Sequence, residues 1–464
     1  MTRRTDAAAA FGWLRGEVAV VGLARSGVAV SRLLARHGGR VYASDAGATP
    51  AIDEAARALR AEGVTVDVGG HDVARIARAS LVVTSPGVPP DAPPMARARR
   101  EGVPIVSEVE IGLRFLPGLR YIAVTGTNGK TTTTTLVAHL LRAVGLRAEA
   151  AGNIGRPLSE LALAHDPAPW VALEVSSFQL HDTPGISPDV GVITNLSGNH
   201  LDRYPSVEAY YADKALLFQN ATAGATWVVN GDDVAVQAMT WEVAGLRTEF
   251  STTRQADAYF DRAADRLVVL GVPLIARREL PLVGDHNVAN ALAATLAVML
   301  ADGRCRSRPA LSQLAQGLRE FHALEHRIEP AADVNGVQWI NDSKSTNVMS
   351  TLVALRGMRR PTVLLLGGRH KGEPYTRLAD ELRRTVKRVI AYGEAAPLIE
   401  KDLRKVVPVE QMPAGTPFAD VVRAARAAAT PDDIVLLSPA CSSYDMFENY
   451  EQRGAEFKRL ASQR

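Results

Sequence analysis

The residues Thr125-Gly-Thr-Asn-Gly-Lys-Thr-Thr132 follow the apolar run Tyr121-Val124 and open a helical pattern over Thr131-Val144. Glycines at 126 and 129 let a backbone curl until its N–H groups face phosphate oxygens, and the helix start adds favourable partial charge. Lys130 would neutralise the β- and γ-phosphates of a nucleotide, and the Thr131 hydroxyl would face Mg²⁺. The full P-loop pattern has Gly where this chain has Val124, so the loop is a variant of that form. A second glycine loop, Gly22-Leu-Ala-Arg-Ser-Gly27, follows Val18-Gly22, and Asp45 ends the next strand. It resembles a dinucleotide fingerprint, but Ala24 replaces the middle glycine, and its methyl hinders approach of a pyrophosphate. A nucleotide in another pose fits better, with Ser85-Pro86-Gly87 adding anion contacts; a turn that serves packing alone is the competing reading.

Further polar residues stand at the ends of apolar runs. Glu174 closes Trp170-Val175, and Asn195 to His200 follow Val190-Thr194, so a carboxylate and an imidazole can converge on a metal. Lys214 lies on the helical stretch Val207-Phe218 and by itself reads as a surface lysine. Three polar loops, Asn341-Asp-Ser-Lys-Ser-Thr-Asn347, Gly367-Gly-Arg-His-Lys-Gly372 and Ser438-Pro-Ala-Cys-Ser-Ser443, each follow an apolar strand. They would line one edge of a parallel sheet, where ligands bind. Cys441 has no partner base in any motif and reads as a packed thiol rather than a nucleophile.

The elements that must position these residues are short apolar runs alternating with helix-length amphipathic segments, the pattern of βαβ units on parallel sheets covered on both faces. The fold class is α/β in three domains: a Rossmann-like domain over residues 1–108, a central P-loop-type mononucleotide-binding domain over 109–323, and a Rossmann-like domain over 324–464. A hairpin-like stretch is predicted around Ala258-Leu282, and a hairpin pairing Ile328-Ala332 with Gln338-Asn341 around Asn335-Gly336.

The 464 residues are 47% hydrophobic and 22% charged, which suits globular domains and excludes disorder as the main state. A net charge of +3, from 53 Lys+Arg against 50 Asp+Glu, gives no reason to expect a nucleic-acid or membrane-surface partner. The apolar stretch Val288-Ala301 is too short and interrupted to span a bilayer. The N-terminal MTRRTDAAAAFGWLRGEV lacks a convincing cleavage site, and two cysteines make no disulfide framework. A cytoplasmic location is expected.

Together Gly126-Thr-Asn-Gly-Lys-Thr131, Glu174-Val-Ser-Ser-Phe-Gln179, Asn195-Leu-Ser-Gly-Asn-His-Leu-Asp-Arg203, Gly284-Asp-His-Asn287 and Glu325-His-Arg327 resemble the Mur ligase family. The three polar loops of the last block resemble its glutamate-adding branch. The resemblance implies an ATP-dependent, amide-forming reaction that adds D-glutamate to UDP-N-acetylmuramoyl-L-alanine through an acyl phosphate, in peptidoglycan precursor synthesis. It implies ATP on Gly126, Thr127, Asn128, Gly129, Lys130, Thr131 and Thr132, with Asn290 and Arg327 at the adenine and ATP contacts and Asp342 at the ribose. A pair of Mg²⁺ ions would be served by Thr131 and Glu174 and by His200, and Lys214 would carry a metal-binding carbamate. Lys130, Glu174, His200 and Lys214 are thus the expected catalytic set.

By the same resemblance Asn153 contacts the muramoyl substrate, and Arg25, Ser26, Asp45, Ser85 and Gly87 the UDP moiety. Thr346, Lys371 and Ser443 hold the glutamate carboxylates, with Lys344 on the phosphate side and Tyr450 where Phe is commoner. A monomer acting on small molecules is the family expectation. The open alternatives are a sibling ligase for L-glutamate or another amino acid, a folylpolyglutamate synthase-like enzyme, a nicotinamide oxidoreductase built on Gly22-Gly27, and a non-catalytic ATP-binding regulator. Because the ATP loop and the glutamate loops fall in different blocks, catalysis is expected to require closure of the third block.

Overall fold

The computed structural model describes residues 16–199, 203–282, 284–322 and 325–463. The N-terminal stretch read above for a signal peptide lies mostly outside them, as does His200. Among the described residues no helix is long and apolar enough to cross a membrane.

The first sheet is built from β1 (Glu17–Val21), β2 (Arg40–Asp45), β3 (Thr65–Val68), β4 (Leu81–Thr84) and β5 (Ile105–Ser107). Its order is β3-β2-β1-β4-β5 and every pairing is parallel. The order reverses between β1 and β4, so the Gly22 loop and the Ser85 loop meet at the switch point, where doubly wound sheets open a crevice.

The second sheet holds β6 (Arg120–Thr125), β7 (Ala148–Gly152), β8 (Trp170–Glu174), β9 (Val190–Ile193), β10 (Thr226–Asn230), β11 (Leu246–Ser251), β12 (Ala258–Asp261), β13 (Arg266–Val269) and β14 (Val272–Ala276). The order is β14-β13-β12-β11-β10-β9-β6-β8-β7, parallel from β7 to β12 and closed by the antiparallel meander β12-β13-β14. That meander is the stretch predicted around Ala258-Leu282. Strands β8 and β9 are buried throughout, which is why their sequences run apolar without alternation.

The third sheet comprises β15 (Glu329–Val334), β16 (Val337–Asn341), β17 (Thr362–Gly367), β18 (Val386–Tyr392), β19 (Val409–Gln411) and β20 (Ile434–Leu437), in the order β15-β16-β20-β17-β18-β19. Only β15-β16 is antiparallel, and its turn places Asn335 and Gly336 at φ 54° and 78°, the left-handed pair that a two-residue hairpin needs. The three polar loops follow β16, β20 and β17, which are adjacent.

The three sheets fall into two compact units by packing. The first contains the first two sheets with Ala289–Leu318; the second contains Arg278–Val288 and the chain from Arg319 onward. The first two sheets share a unit because the helix Glu108–Phe115 serves both cores: Val109 packs in that of the second sheet, Ile111 and Phe115 in that of the first. Ser107 caps that helix by accepting from the Glu110 N–H at 3.2 Å.

Candidate functional site

The glycine loop leaves β6 between the ends of β8 and β9. Gly126 has φ 138°, and a Cβ there would lie 2.0 Å from Thr194 Oγ1; Gly129 has φ 82°, and a Cβ would lie 2.4 Å from Asn290 Oδ1. Both positions therefore demand glycine. The loop is held from β9: Thr127 N–H donates to Asn195 O (2.8 Å), Asn128 N–H to Asn195 Oδ1 (3.0 Å), and Thr194 Oγ1 to Asn128 O (2.6 Å). The N–H groups of Thr127 and Asn128 thus face the protein. The first turn of the helix Lys130–Ala143, whose opening N–H groups have no intrahelical acceptor, remains for an anion. Lys130 Nζ folds back on Gly126 O (3.0 Å) and Thr127 O (2.8 Å), and Thr131 and Thr132 open the helix, both buried. Asn290 is buried beside the loop, its Oδ1 accepting from Thr133 Oγ1 at 3.3 Å.

Glu174, at the end of β8, is 1% exposed. Its Oε1 accepts from Asn153 Nδ2 at 2.9 Å, and Asn153 N–H donates to Glu174 O at 2.9 Å, so the exposed Asn153 is set by the glutamate. The other oxygen, Oε2, is buried without a partner. Such a carboxylate oxygen suits a cation. Among the described residues no cluster of His, Cys, Asp and Glu is ready-made for a metal.

Lys214 corrects the surface reading. It is 1% exposed on the helix Val207–Ala215, with Nζ 3.5 Å from Thr125 Oγ1 and 4.8 Å from the centroid of the Tyr210 ring. Burial, and then the like charge of Lys130, hold its amine well below the usual lysine range.

In the first sheet, Arg25 and Ser26 begin the helix Arg25–Arg36, the former exposed and the latter half-buried. Asp45 accepts from Leu23 N–H (2.7 Å) and Gly47 N–H (2.8 Å), tying β2 to the Gly22 loop. Ser85 is buried and donates to Gly22 O at 3.0 Å, so its hydroxyl proton is engaged within the loop. Gly87 is exposed, and its carbonyl and that of Pro86 accept from Arg203 at 3.2 and 3.3 Å. Beside this loop lies a cavity of about 260 Å³ walled by Met95, Arg99, Phe178, Arg203 and Asp213.

The second unit gathers the remaining residues. Thr346 Oγ1 accepts from Lys371 Nζ at 3.3 Å, joining two of the three loops, and Ser443 is 2% exposed in the third. Lys344 Nζ lies 5.3 Å from the Tyr450 ring centroid. Arg327 is half-buried, with Nε lacking a partner. Asp342 is turned inward: Oδ1 accepts from Ile328 N–H (3.2 Å), Oδ2 from Ser438 Oγ (2.7 Å), and burial pushes its carboxyl up to about 6.

Comparisons with known proteins match this arrangement in sequence and in fold. Three family models match the chain: the Mur ligase MurD-like N-terminal domain over residues 16–107, the Mur ligase middle domain over 124–298, and the Mur ligase glutamate ligase domain over 326–441. The chain belongs to the Mur ligase family. The UDP-N-acetylmuramoylalanine–D-glutamate ligase of Anaeromyxobacter dehalogenans is 42% identical over 96% of this chain and 97% of its own; that of Salinibacter ruber is 40% identical over the same shares. Among solved structures, the UDP-N-acetylmuramate-alanine ligase MurC of Thermotoga maritima aligns with a TM-score of 0.61 at 20% identity, covering 96% of this chain and all of that one. MurF from the same organism, in complex with ADP, gives 0.59 at 17%, covering 91% and 95%. These two likenesses concern the fold.

Sequence reasoning missed Arg453. It is fully buried in the helix Tyr450–Ala461 and donates to Ser343 Oγ (2.9 Å), Ser343 O (2.8 Å) and Cys441 O (3.3 Å), lacing two polar loops together. The one local signal is Gly454 beside it, where a Cβ would lie 2.3 Å from His326 Nδ1.

Proposed function

We propose that this Mur ligase joins the amine of D-glutamate to the carboxylate of UDP-N-acetylmuramoyl-L-alanine, converting ATP to ADP and phosphate. The curated relatives at 36–42% identity over 96% of the chain support that substrate pair. The observation that carries the chemistry is Glu174 Oε2, buried and partnerless one strand away from a glycine loop that ends in Lys130.

The β- and γ-phosphates rest against the first turn of the helix Lys130–Ala143, with Lys130 leaving its loop carbonyls to neutralise them. Thr131 and Glu174 would hold one Mg²⁺, and His200 with carbamylated Lys214 the other. When bound, the ions screen the two anions that must meet. Lys214 suits carbamylation because burial favours its neutral amine, the form that attacks CO₂. Asn153, oriented by Glu174, would steady the muramoyl substrate as its carboxylate attacks the γ-phosphorus and ADP leaves. Thr346, Lys371 and Ser443 would then hold the carboxylates of glutamate while its amine attacks the acyl carbonyl, loses a proton and expels phosphate. Asn290 and Arg327 would serve adenine and phosphate. Arg25, Ser26, Asp45, Ser85 and Gly87 would frame the UDP end, in which Asp45 and Ser85 shape the loop through their bonds to backbone. The inward carboxylate of Asp342 would reach a ribose only after turning from Ser438.

Phosphate release from MgATP and UDP-N-acetylmuramoyl-L-alanine tests the proposal, with D-glutamate, L-glutamate, lysine or D-alanyl-D-alanine supplied separately. Release with D-glutamate alone is expected. Release with L-glutamate would move the pocket assignment, and release independent of any amino acid would replace ligation by simple ATP hydrolysis.

A further inference from the structure

The glutamate loops contain a buried polar chain that the reaction as described does not use. Tyr375 is fully buried, its ring packed in the core of the third sheet and its N–H donating to Asp402 Oδ2 at 3.3 Å. Its hydroxyl lies 3.0 Å from His370 Nδ1 and 2.9 Å from Cys441 Sγ. His370 precedes Lys371 in the loop after β17, and Cys441 stands two residues before Ser443 in the loop after β20. Burial pushes the Cys441 thiol up to about 12, so the sulfur keeps its proton and remains a neutral member of the chain. One arrangement has the thiol donating to the tyrosine oxygen and the tyrosine donating to His370 Nδ1. The reverse arrangement serves equally, and both need the hydroxyl at the centre.

The backbones of the same two loops already touch. Arg369 N–H donates to Ser442 O at 2.9 Å, and Ser442 N–H returns to Arg369 O at 3.1 Å. With Gly367 N–H donating to Pro439 O at 3.0 Å, these bonds fix the backbones where the loops leave their strands. The Tyr375 hydroxyl adds a side-chain contact further out, holding His370 and Cys441, the side chains that flank the bridge next to Lys371 and Ser443. From Cys441 the chain continues through the carbonyl to Arg453 and Ser343, reaching the loop that bears Lys344 and Thr346.

We infer that the Tyr375 hydroxyl is a positioning group for glutamate: by joining His370 to Cys441 it sets Lys371 and Ser443 at the spacing that the two carboxylates of the amino acid require. The inference rests on the assignment of Lys371 and Ser443 to glutamate. It concerns binding of the second substrate and leaves the ATP loop, in the other unit, untouched.

Tyr375→Phe keeps the ring and its packing and removes only the oxygen. Steady-state kinetics of the full chain should show the KM for D-glutamate raised roughly three- to ten-fold, the effect of one buried hydrogen bond, with kcat and the KM for ATP within about two-fold of the parent. Cys441→Ala removes the other end and should give the same signature. The double variant should be no worse than either single one, since all three break one link. A lowered thermal midpoint with an unchanged glutamate KM would overturn the inference and leave Tyr375 a purely structural residue, as would additive effects in the double variant. If the parent releases no phosphate in response to D-glutamate, the assignment of the reaction fails instead, and the two failures are told apart by that control.

Discussion

Glu108 offers a sharp test of the electrostatics that join the first two sheets. Its side chain is 1% exposed at the start of the shared helix Glu108–Phe115, with Oε1 accepting from Ser159 N–H at 2.5 Å and Oε2 without a partner. Burial outweighs the Ser159 bonds and pushes the carboxyl from 4.5 up to about 7. The native state therefore keeps this proton at a pH where the unfolded chain has lost it. Stability is lost as pH rises from 4.5 through 7 and is level above that. At about 1.4 kcal/mol for each pH step of displacement the full effect is about 3–4 kcal/mol, most of which falls between pH 5 and pH 8. Glu108→Gln is neutral throughout, so any fixed penalty for its amide is the same at both pH values. Urea unfolding of parent and variant at about pH 5 and pH 8 should show the variant gaining about 2–3 kcal/mol on the parent as pH rises. A difference that stays within about 0.5 kcal/mol across that range would refute a carboxyl forced to remain protonated by burial.

Other outcomes follow from the same geometry. Lys214→Ala should lose ligation, and short carboxylates such as formate or acetate should partly restore it; absence of rescue with metal binding intact would mean that the lysine carries no metal-bridging carbamate. Gly126→Ala forces a Cβ to 2.0 Å from Thr194 Oγ1 at φ 138°, so calorimetric affinity for a non-hydrolysable ATP analogue should fall at least about five-fold, the equivalent of the lower end of a strain of about 1–3 kcal/mol. Unchanged affinity would show that the loop tolerates another course. Arg453→Met leaves the Ser343 and Cys441 carbonyls buried without their donor and should destabilise the second unit by about 2–3 kcal/mol in urea; a loss under about 1 kcal/mol would mean that water or rearrangement replaces the guanidinium.

Much of the architecture is written locally. Runs such as Thr362–Gly367 and Ile434–Leu437 are apolar without alternation because both sheet faces are covered, and they are wholly buried. Asn335-Gly336 announces its turn because few other pairs accept two left-handed residues. The glycine loop and the three polar loops are also legible, since each follows a strand and β16, β20 and β17 are neighbours. Lys214 is different. Its helix has polar neighbours, and its burial depends on Thr125, remote in sequence, and on the ring of Tyr210. The inward turn of Asp342 and the engagement of Thr127 and Asn128 N–H groups by Asn195 depend likewise on partners distant in the chain. The close packing of the first two sheets in one unit follows from the dual packing of Glu108–Phe115, which a single amphipathic pattern does not reveal.

Transfer of the γ-phosphoryl group to the terminal alanyl carboxylate of the UDP-linked substrate, before glutamate attacks, leaves an isotopic signature. UDP-N-acetylmuramoyl-L-alanine carrying oxygen-18 in its terminal carboxylate, incubated with MgATP and D-glutamate, tests this most directly by mass analysis of the phosphate. Each released phosphate should carry a single heavy oxygen, because the bridging oxygen of the acyl phosphate departs with phosphorus. Unlabelled phosphate formed at the same rate as the amide product would contradict that transfer.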